Sequence, residues 1–157
     1  MNKITPFLWF DDNAEEAMDL YVSLFEDSRV TSVTRLPDGS PSPGTVITAS
    51  FQLAGQEFMA LNGGPMFRFT EAVSFSVRAE TQAEIDRLWD RLTEDGGEPG
   101  QCGWLKDRFG LSWQIVPPIL VELLGDPDPE KASRTMQAML QMTKLDVAAL
   151  QAAHDGV

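Results

Sequence analysis

The sequence predicts an α+β fold: two tandem strand–helix–strands (βαβββ) modules followed by a C-terminal helical extension. Three observations carry this. Asn13-Ala14-Glu15-Glu16 and Thr81-Gln82-Ala83-Glu84 both have the form of a capping box, in which the first side chain accepts from a free backbone N–H and the Glu three residues on bonds back. These two starts lie 68 residues apart, and the same offset pairs Ala17 with Ile85, Leu20 with Leu88, Tyr21 with Trp89 and Leu24 with Leu92. Steps of three, one and three mark one apolar face of a helix. Finally, a strand-like run precedes each helix, Ile4–Phe10 and Val73–Val77, and further short strands follow each. The expected boundaries are 1–65 for the first module, 66–120 for the second and 121–157 for the extension.

Each element has a local reason. In the first half Arg29–Arg35 reads as a strand, and the Pro/Gly-rich stretch 37–44 reads as a loop at a rim. Thr45–Leu53 and Gln56–Leu61 are two strands joined around Ala54-Gly55, a hairpin signal. Asn62-Gly63-Gly64-Pro65 starts the linker; it lacks the Lys-Ser/Thr of a phosphate loop. In the second half Glu94–Gly97 ends the helix, and Trp104–Lys106 pairs with Leu111–Val116 around Asp107-Arg108-Phe109-Gly110. Pro117-Pro118 stops the last strand, because proline cannot donate to a ladder. In the extension, aspartate precedes a helix-starting proline within Asp126-Pro127-Asp128-Pro129, and Ala132, Met136, Met139, Leu140 and Thr143 form a helical stripe. A second short helix is expected from Asp146 to Ala153.

Composition narrows the function classes. The chain has 157 residues, 43% hydrophobic, with 12 Lys+Arg against 24 Asp+Glu and a net charge of −12. That is ordinary globular composition, and an acidic chain without a basic run repels phosphate backbones and anionic lipid. Neither nucleic acid nor a membrane is expected as a partner. The first ten residues lack the features of a signal peptide, so the cytoplasm is the expected compartment. Cys102 is the single cysteine and His154 the single histidine. Without a neighbouring base Cys102 is expected to be a small structural thiol, and His154 an exposed terminal residue. Glu15, Glu16 and Glu84 are expected to cap and solvate helices. Trp104 and Trp113 are expected to face each other across their hairpin and pack against helices.

Gln101-Cys102-Gly103-Trp104-Leu105-Lys106-Asp107-Arg108-Phe109-Gly110-Leu111-Ser112-Trp113-Gln114-Ile115-Val116-Pro117, with Thr81–Trp89 and the tail around Met139–Leu150, resembles the PhnB-like branch of the vicinal oxygen chelate superfamily. That superfamily includes glyoxalases, bleomycin-resistance proteins and extradiol dioxygenases; the branch often carries the label 3-demethylubiquinone 3-methyltransferase. The resemblance implies a curved mixed sheet from each module, helices outside, a cavity inside the curve and a homodimer. It also implies that catalytic relatives hold a divalent metal there through His, Glu or Gln. At the corresponding positions this sequence offers Pro6, Phe58, Ala72 and Gln114, of which Gln114 alone is a donor. Glu57 and Glu71 lie one residue away, and one residue turns a strand side chain to the opposite face. The methyltransferase label has no glycine-rich turn to support it: the first strand runs into Asp11-Asp12-Asn13.

Strand alternation then selects candidate lining residues. In the last strand Trp113 and Ile115 belong to the helix side, leaving Ser112 and Gln114 inside. In the strand that opens the second module, Ser74 and Ser76 face inside. The offset of 68 carried backward adds Ile4, Pro6 and Leu8, and the fourth strand adds Phe58, Ala60 and Asn62. The expected ligand-binding set is therefore Gln114, Ser112, Ser74, Ser76, Asn62 and Phe58, with no metal and no cofactor. Three functions remain open: a metal-free small-molecule binding protein, with the net charge favouring a cation; a divalent-metal lyase, isomerase or dioxygenase; or a purely structural or interaction protein with the dimer as its product. The methionine stripe of the tail, which neither repeat requires, is the expected dimer contact.

Overall fold

The computed structural model describes residues 2–157. The chain forms two compact units, Met1–Phe69 and Thr70–Val157. Each contains one βαβββ module with a four-stranded mixed sheet, and the second also carries the C-terminal helices.

The first unit comprises β1 (Phe7–Phe10), α1 (Ala14–Leu24), β2 (Arg29–Arg35), β3 (Val46–Leu53) and β4 (Gln56–Asn62), in sheet order β1-β4-β3-β2. The β1–β4 pair is parallel and the other pairs are antiparallel. Helix α1 buries Ala17, Met18, Leu20, Tyr21 and Leu24 and packs on β3 and β4. Ala49, Phe51, Phe58 and Ala60 are buried in these strands, with Ala49 opposite Ala60 and Phe51 opposite Phe58. The Phe51 and Phe58 rings stack with centroids 5.5 Å apart. Both residues of the β3–β4 turn, Ala54 (φ 48°) and Gly55 (φ 82°), are left-handed, as a tight two-residue hairpin requires.

The expected capping box of α1 does not form. Asn13 makes no side-chain cap bond. Asn62 replaces it from the end of β4: its Oδ1 accepts from Ala14 N at 2.9 Å, and its Nδ2 donates to Val46 O at 3.1 Å. Glu15, in the first turn, pairs with Arg35 at 2.7 Å, and that hydrogen bond holds its carboxyl below the usual range.

The second unit runs β5 (Ser74–Arg78), α2 (Gln82–Thr93), a 3₁₀ turn Glu94–Gly96, β6 (Glu98–Pro99), β7 (Trp104–Lys106) and β8 (Ser112–Val116), in sheet order β5-β8-β7-β6. Here the cap is as expected: Thr81 Oγ1 accepts from Glu84 N at 3.2 Å. The Glu84 carboxylate reaches back to Glu80 N at 2.8 Å. Ile85, Leu88, Trp89 and Leu92 are buried, as are Leu105, Trp113 and Ile115 of the strands on which α2 packs.

Three helices complete this unit: α3 (Pro118–Leu124), α4 (Pro129–Leu140) and α5 (Val147–Asp155). Helix α3 departs from the expectation: Pro117 follows the last strand residue, Val116, and caps a helix whose first residue is Pro118, where a missing N–H costs nothing. Leu120, Leu123, Leu145 and Leu150 form a core against which Met139 and Met142 pack. The methionine stripe is thus divided. Met139 turns inward beside buried Thr135, while Met136 and Leu140 remain 41% and 54% exposed. The α4–α5 connection is tied down by Cys102 N to Met142 O and Gly103 N to Thr143 O, both 2.8 Å. Gln82 donates to Leu145 O and accepts from Val147 N.

His154 is not an exposed terminal residue. It is buried, with Nε2 2.8 Å from Asp126 Oδ2 and Nδ1 2.9 Å from Asp155 Oδ1. Arg134 joins the cluster by donating to the carbonyls of Ala153 and His154. No helix among the described residues is long and apolar enough to cross a membrane.

Candidate functional site

Directly paired residues of neighbouring strands share a face of the sheet. In the second unit Phe75, Trp113 and Leu105 form one such row, on the α2 side. The alternate rows lie on the opposite, open face. One contains Ser74, Ser112 and Lys106; the next contains Ser76, Gln114 and Trp104. Four of the expected site residues, Ser74, Ser76, Ser112 and Gln114, are therefore brought together as expected.

Within this group Gln114 Nε2 donates to Ser74 Oγ at 3.0 Å. Ser112 is 1% exposed, and its Oγ has no hydrogen-bond partner among the described residues. A buried hydroxyl without a partner is costly and uncommon in native proteins. Lys106 pairs with Glu71, whose hydrogen bond raises the ammonium pKa; the ammonium in turn holds the Glu71 carboxyl below its usual range.

Trp104 is the residue that strand alternation alone missed. It lies opposite Gln114 on the open face, not opposite Trp113 on the helix side. The hairpin register decides this. Asp107 N donates to Leu111 O at 2.9 Å, closing the turn so that Lys106 meets Ser112 and Trp104 meets Gln114. Asp107 itself is buried and fixes that turn: Oδ1 accepts from Phe109 N and Leu111 N, and Oδ2 from Trp113 Nε1. The Trp113 ring meets Phe75 edge-on at 5.3 Å. Counting residues across the turn is the sequence signal that reveals the Trp104–Gln114 pair.

The first unit reverses the expectation. Leu8, Phe58, Ala60 and Asn62 share the helix side, the buried side of that sheet. Phe58 is committed to the core with Phe51, and Asn62 to the α1 terminus. The open face instead presents Phe7 and Trp9 of β1 with Met59 and Leu61 of β4. The difference lies in how each strand faces at the offset of its helix. The helix starts are 68 apart, but Leu8 and Phe10 correspond in facing to Phe75 and Val77, 67 apart. The connections 11–13 and 79–81 are equally long, yet Phe10 at the end of β1 lies on the helix side while Arg78 at the end of β5 lies on the opposite face, so the two strands enter their helices with exchanged faces. Trp9 is held by its indole N–H, which donates to Gly64 O at 3.0 Å, and by an edge-on contact with Phe67 at 4.9 Å.

The open face of the second sheet does not fit a divalent metal. Its carboxylates, Glu71 and Glu98, lie at Lys106, which leaves one amide oxygen and serine hydroxyls, a poor set for ions that favour carboxylate or imidazole ligands. Glu71 is engaged with Lys106, and Glu57 accepts from Asn2 N. Among the described residues no group of three or more His, Cys, Asp and Glu is placed to hold a metal ion.

Comparison with known proteins agrees with this architecture. The family model for 3-demethylubiquinone-9 3-methyltransferase matches residues 2–116. A PhnB protein of Bacillus cereus, described under the same name, is 41% identical over 74% of this chain and 99% of its own, with a TM-score of 0.69. Protein PA1353 of Pseudomonas aeruginosa is 24% identical over 74% of this chain and 98% of its own, with a TM-score of 0.62. The fosfomycin resistance protein FosX of Mesorhizobium loti shares the fold at 13% identity, covering 80% of this chain and 99% of its own, with a TM-score of 0.53. No curated protein matches. The family match, the 41% identical relative and the paired βαβββ modules together place this chain in the 3-demethylubiquinone-9 3-methyltransferase family, the PhnB-like branch of the vicinal oxygen chelate superfamily.

Proposed function

We propose that this protein binds a small organic molecule on the open face of its second sheet, through hydrogen bonds and an aromatic contact, without a metal. The observation that carries the proposal is the buried, unpartnered Ser112 hydroxyl, directly paired with Ser74 and two residues from Gln114, which donates to Ser74. An orphaned hydroxyl there is satisfied when a ligand supplies the missing partner. Phe58 and Asn62, committed to the core and the helix cap, have no part in this reading. The test is a fragment screen by saturation-transfer NMR on the full chain. Compounds that bind should lose their signal in Ser112→Val and Gln114→Leu, with the thermal midpoint unchanged. Binding that both variants retain would refute the assignment.

The protein is further proposed to work as a homodimer in the cytoplasm, with Met136 and Leu140 of α4 in the contact. These two side chains lie one turn apart and are exposed in the single chain. Sedimentation should give a dimer, and Met136→Glu with Leu140→Glu should give a folded monomer. A dimer that survives both substitutions removes α4 from the interface.

A further inference from the structure

We infer that the molecule taken by this face is uncharged and flat, of the primary-amide class: a carbonyl and an N–H₂ carried on a ring. This rests on the binding role proposed for the open face of the second sheet, and it adds the chemistry of the occupant.

The two cations of the face, Lys106 and Arg78, each already have a carboxylate. Lys106 is paired with Glu71 and also lies opposite Glu98 in the β6–β7 register. Arg78, the next residue of β5 on this face, is paired with Glu80 at 2.8 Å. The positions between them are serines, Gln114 and Trp104. A charged group set against buried Ser112 loses its hydration, and the one cation in that row, Lys106, is already engaged by Glu71. A neutral group does not suffer that penalty. The net charge of the whole chain, which favours a cation at long range, acts through solvent and is screened; the desolvation at Ser112 is local and decides the matter.

The hydrogen-bonding inventory then selects among neutral groups. Gln114 gives one N–H to Ser74 Oγ, so the Ser74 O–H proton remains a donor. Ser112 Oγ can donate as well. Gln114 Oε1 can only accept. Hydroxyls free to donate beside an oxygen that can only accept complement a carboxamide, whose oxygen accepts from the serines and whose N–H₂ donates to Gln114. Trp104, opposite Gln114, supplies an aromatic ring for a flat molecule to lie against.

Three probes of one shape separate the charge classes: benzamide, benzoate and benzamidinium. Each is titrated into uniformly ¹⁵N-labelled full-length protein at neutral pH, and amide shifts are followed. Benzamide should shift Ser74, Ser112 and Gln114 and bind about tenfold or more tightly than either ion. Gln114→Leu should weaken benzamide by a similar factor, and Trp104→Leu should weaken it without altering the ranking. If either ion binds as tightly at the same amides, the face is a site and the uncharged class is wrong. If none of the three shifts those amides, the carboxamide class is also overturned, and the unbiased fragment screen then decides separately whether the face binds anything.

Discussion

Replacing Asp107 with alanine removes the acceptor on which the β7–β8 hairpin closes. The carboxylate is 2% exposed and accepts from Phe109 N at 2.9 Å, Leu111 N at 3.1 Å and Trp113 Nε1 at 2.9 Å. Phe109 is partly exposed, so its amide can turn to water. Leu111 and Trp113 are buried and have no such route. An orphaned buried donor costs about 1–3 kcal/mol, so the two together cost about 4 kcal/mol. With a urea m-value of about 2 kcal/mol/M, the unfolding midpoint should fall by about 2 M. Tryptophan fluorescence and far-ultraviolet circular dichroism should report the same transition. Asp107→Asn is the sharper probe, because it keeps an acceptor for the turn while setting an N–H₂ against the Trp113 N–H. Trp113→Phe removes that conflict, so the pair should couple by about 1 kcal/mol or more in a double-mutant cycle. A loss under about 1 kcal/mol for Asp107→Ala would show that the carboxylate does not close the hairpin.

Asn62→Ala should destabilise the first unit by about 1–2 kcal/mol, since it removes the acceptor for Ala14 N. Asn62→Asp, which keeps that oxygen, should cost less; an unchanged urea midpoint for the alanine variant would remove Asn62 from the helix cap. Gly63→Ala would place a methyl 2.3 Å from the Trp9 ring, so a loss of about 1–3 kcal/mol and a shifted Trp9 indole N–H resonance are expected. The His154 cluster makes stability depend on pH. Hydrogen bonds to Asp155 and then Asp126 hold the imidazole pKa above 6.5. Its contribution is therefore complete below 6.5 and is lost as pH rises through the folded value. The Asp126 carboxyl is held low by the Asp128 N–H and then by His154, and Asp155 by His154 and then Gln151, so their contributions disappear only as pH falls below 3.8 through the depressed values. The thermal midpoint should thus decline on the alkaline side, and His154→Asn should flatten that decline; identical slopes would exclude the cluster as the cause.

What was legible in the sequence follows the range over which each signal acts. The buried faces of α1 and α2 depend on spacing within eight residues, and Ala17, Leu20, Tyr21 and Leu24 lie buried as their counterparts Ile85, Leu88, Trp89 and Leu92 do. The grouping of Ser74, Ser76, Ser112 and Gln114 was legible because apolar Phe75, Val77, Trp113 and Ile115 alternate with them. Trp104 was misplaced because its facing is set by the closure of a turn and not by its own strand. Asn62 was misassigned because its partner, Ala14, is 48 residues away in sequence. His154 likewise gains its burial from Asp126, 28 residues distant. Single-sequence periodicity carries no information at those separations.

The exchanged facing of β1 and β5 has a consequence for anyone who would engineer the protein. Copying the serines of β5 onto β1 by aligning the helices would replace Pro6 and Leu8, and the second substitution would set a hydroxyl among the side chains beneath α1. Copying them by strand facing would replace Phe7 and Trp9 and put both hydroxyls on the open sheet. A symmetrised variant with two polar faces must therefore be designed on an alignment containing a gap. The gapless one, which matches more of the helix, would be expected to yield a chain that misfolds.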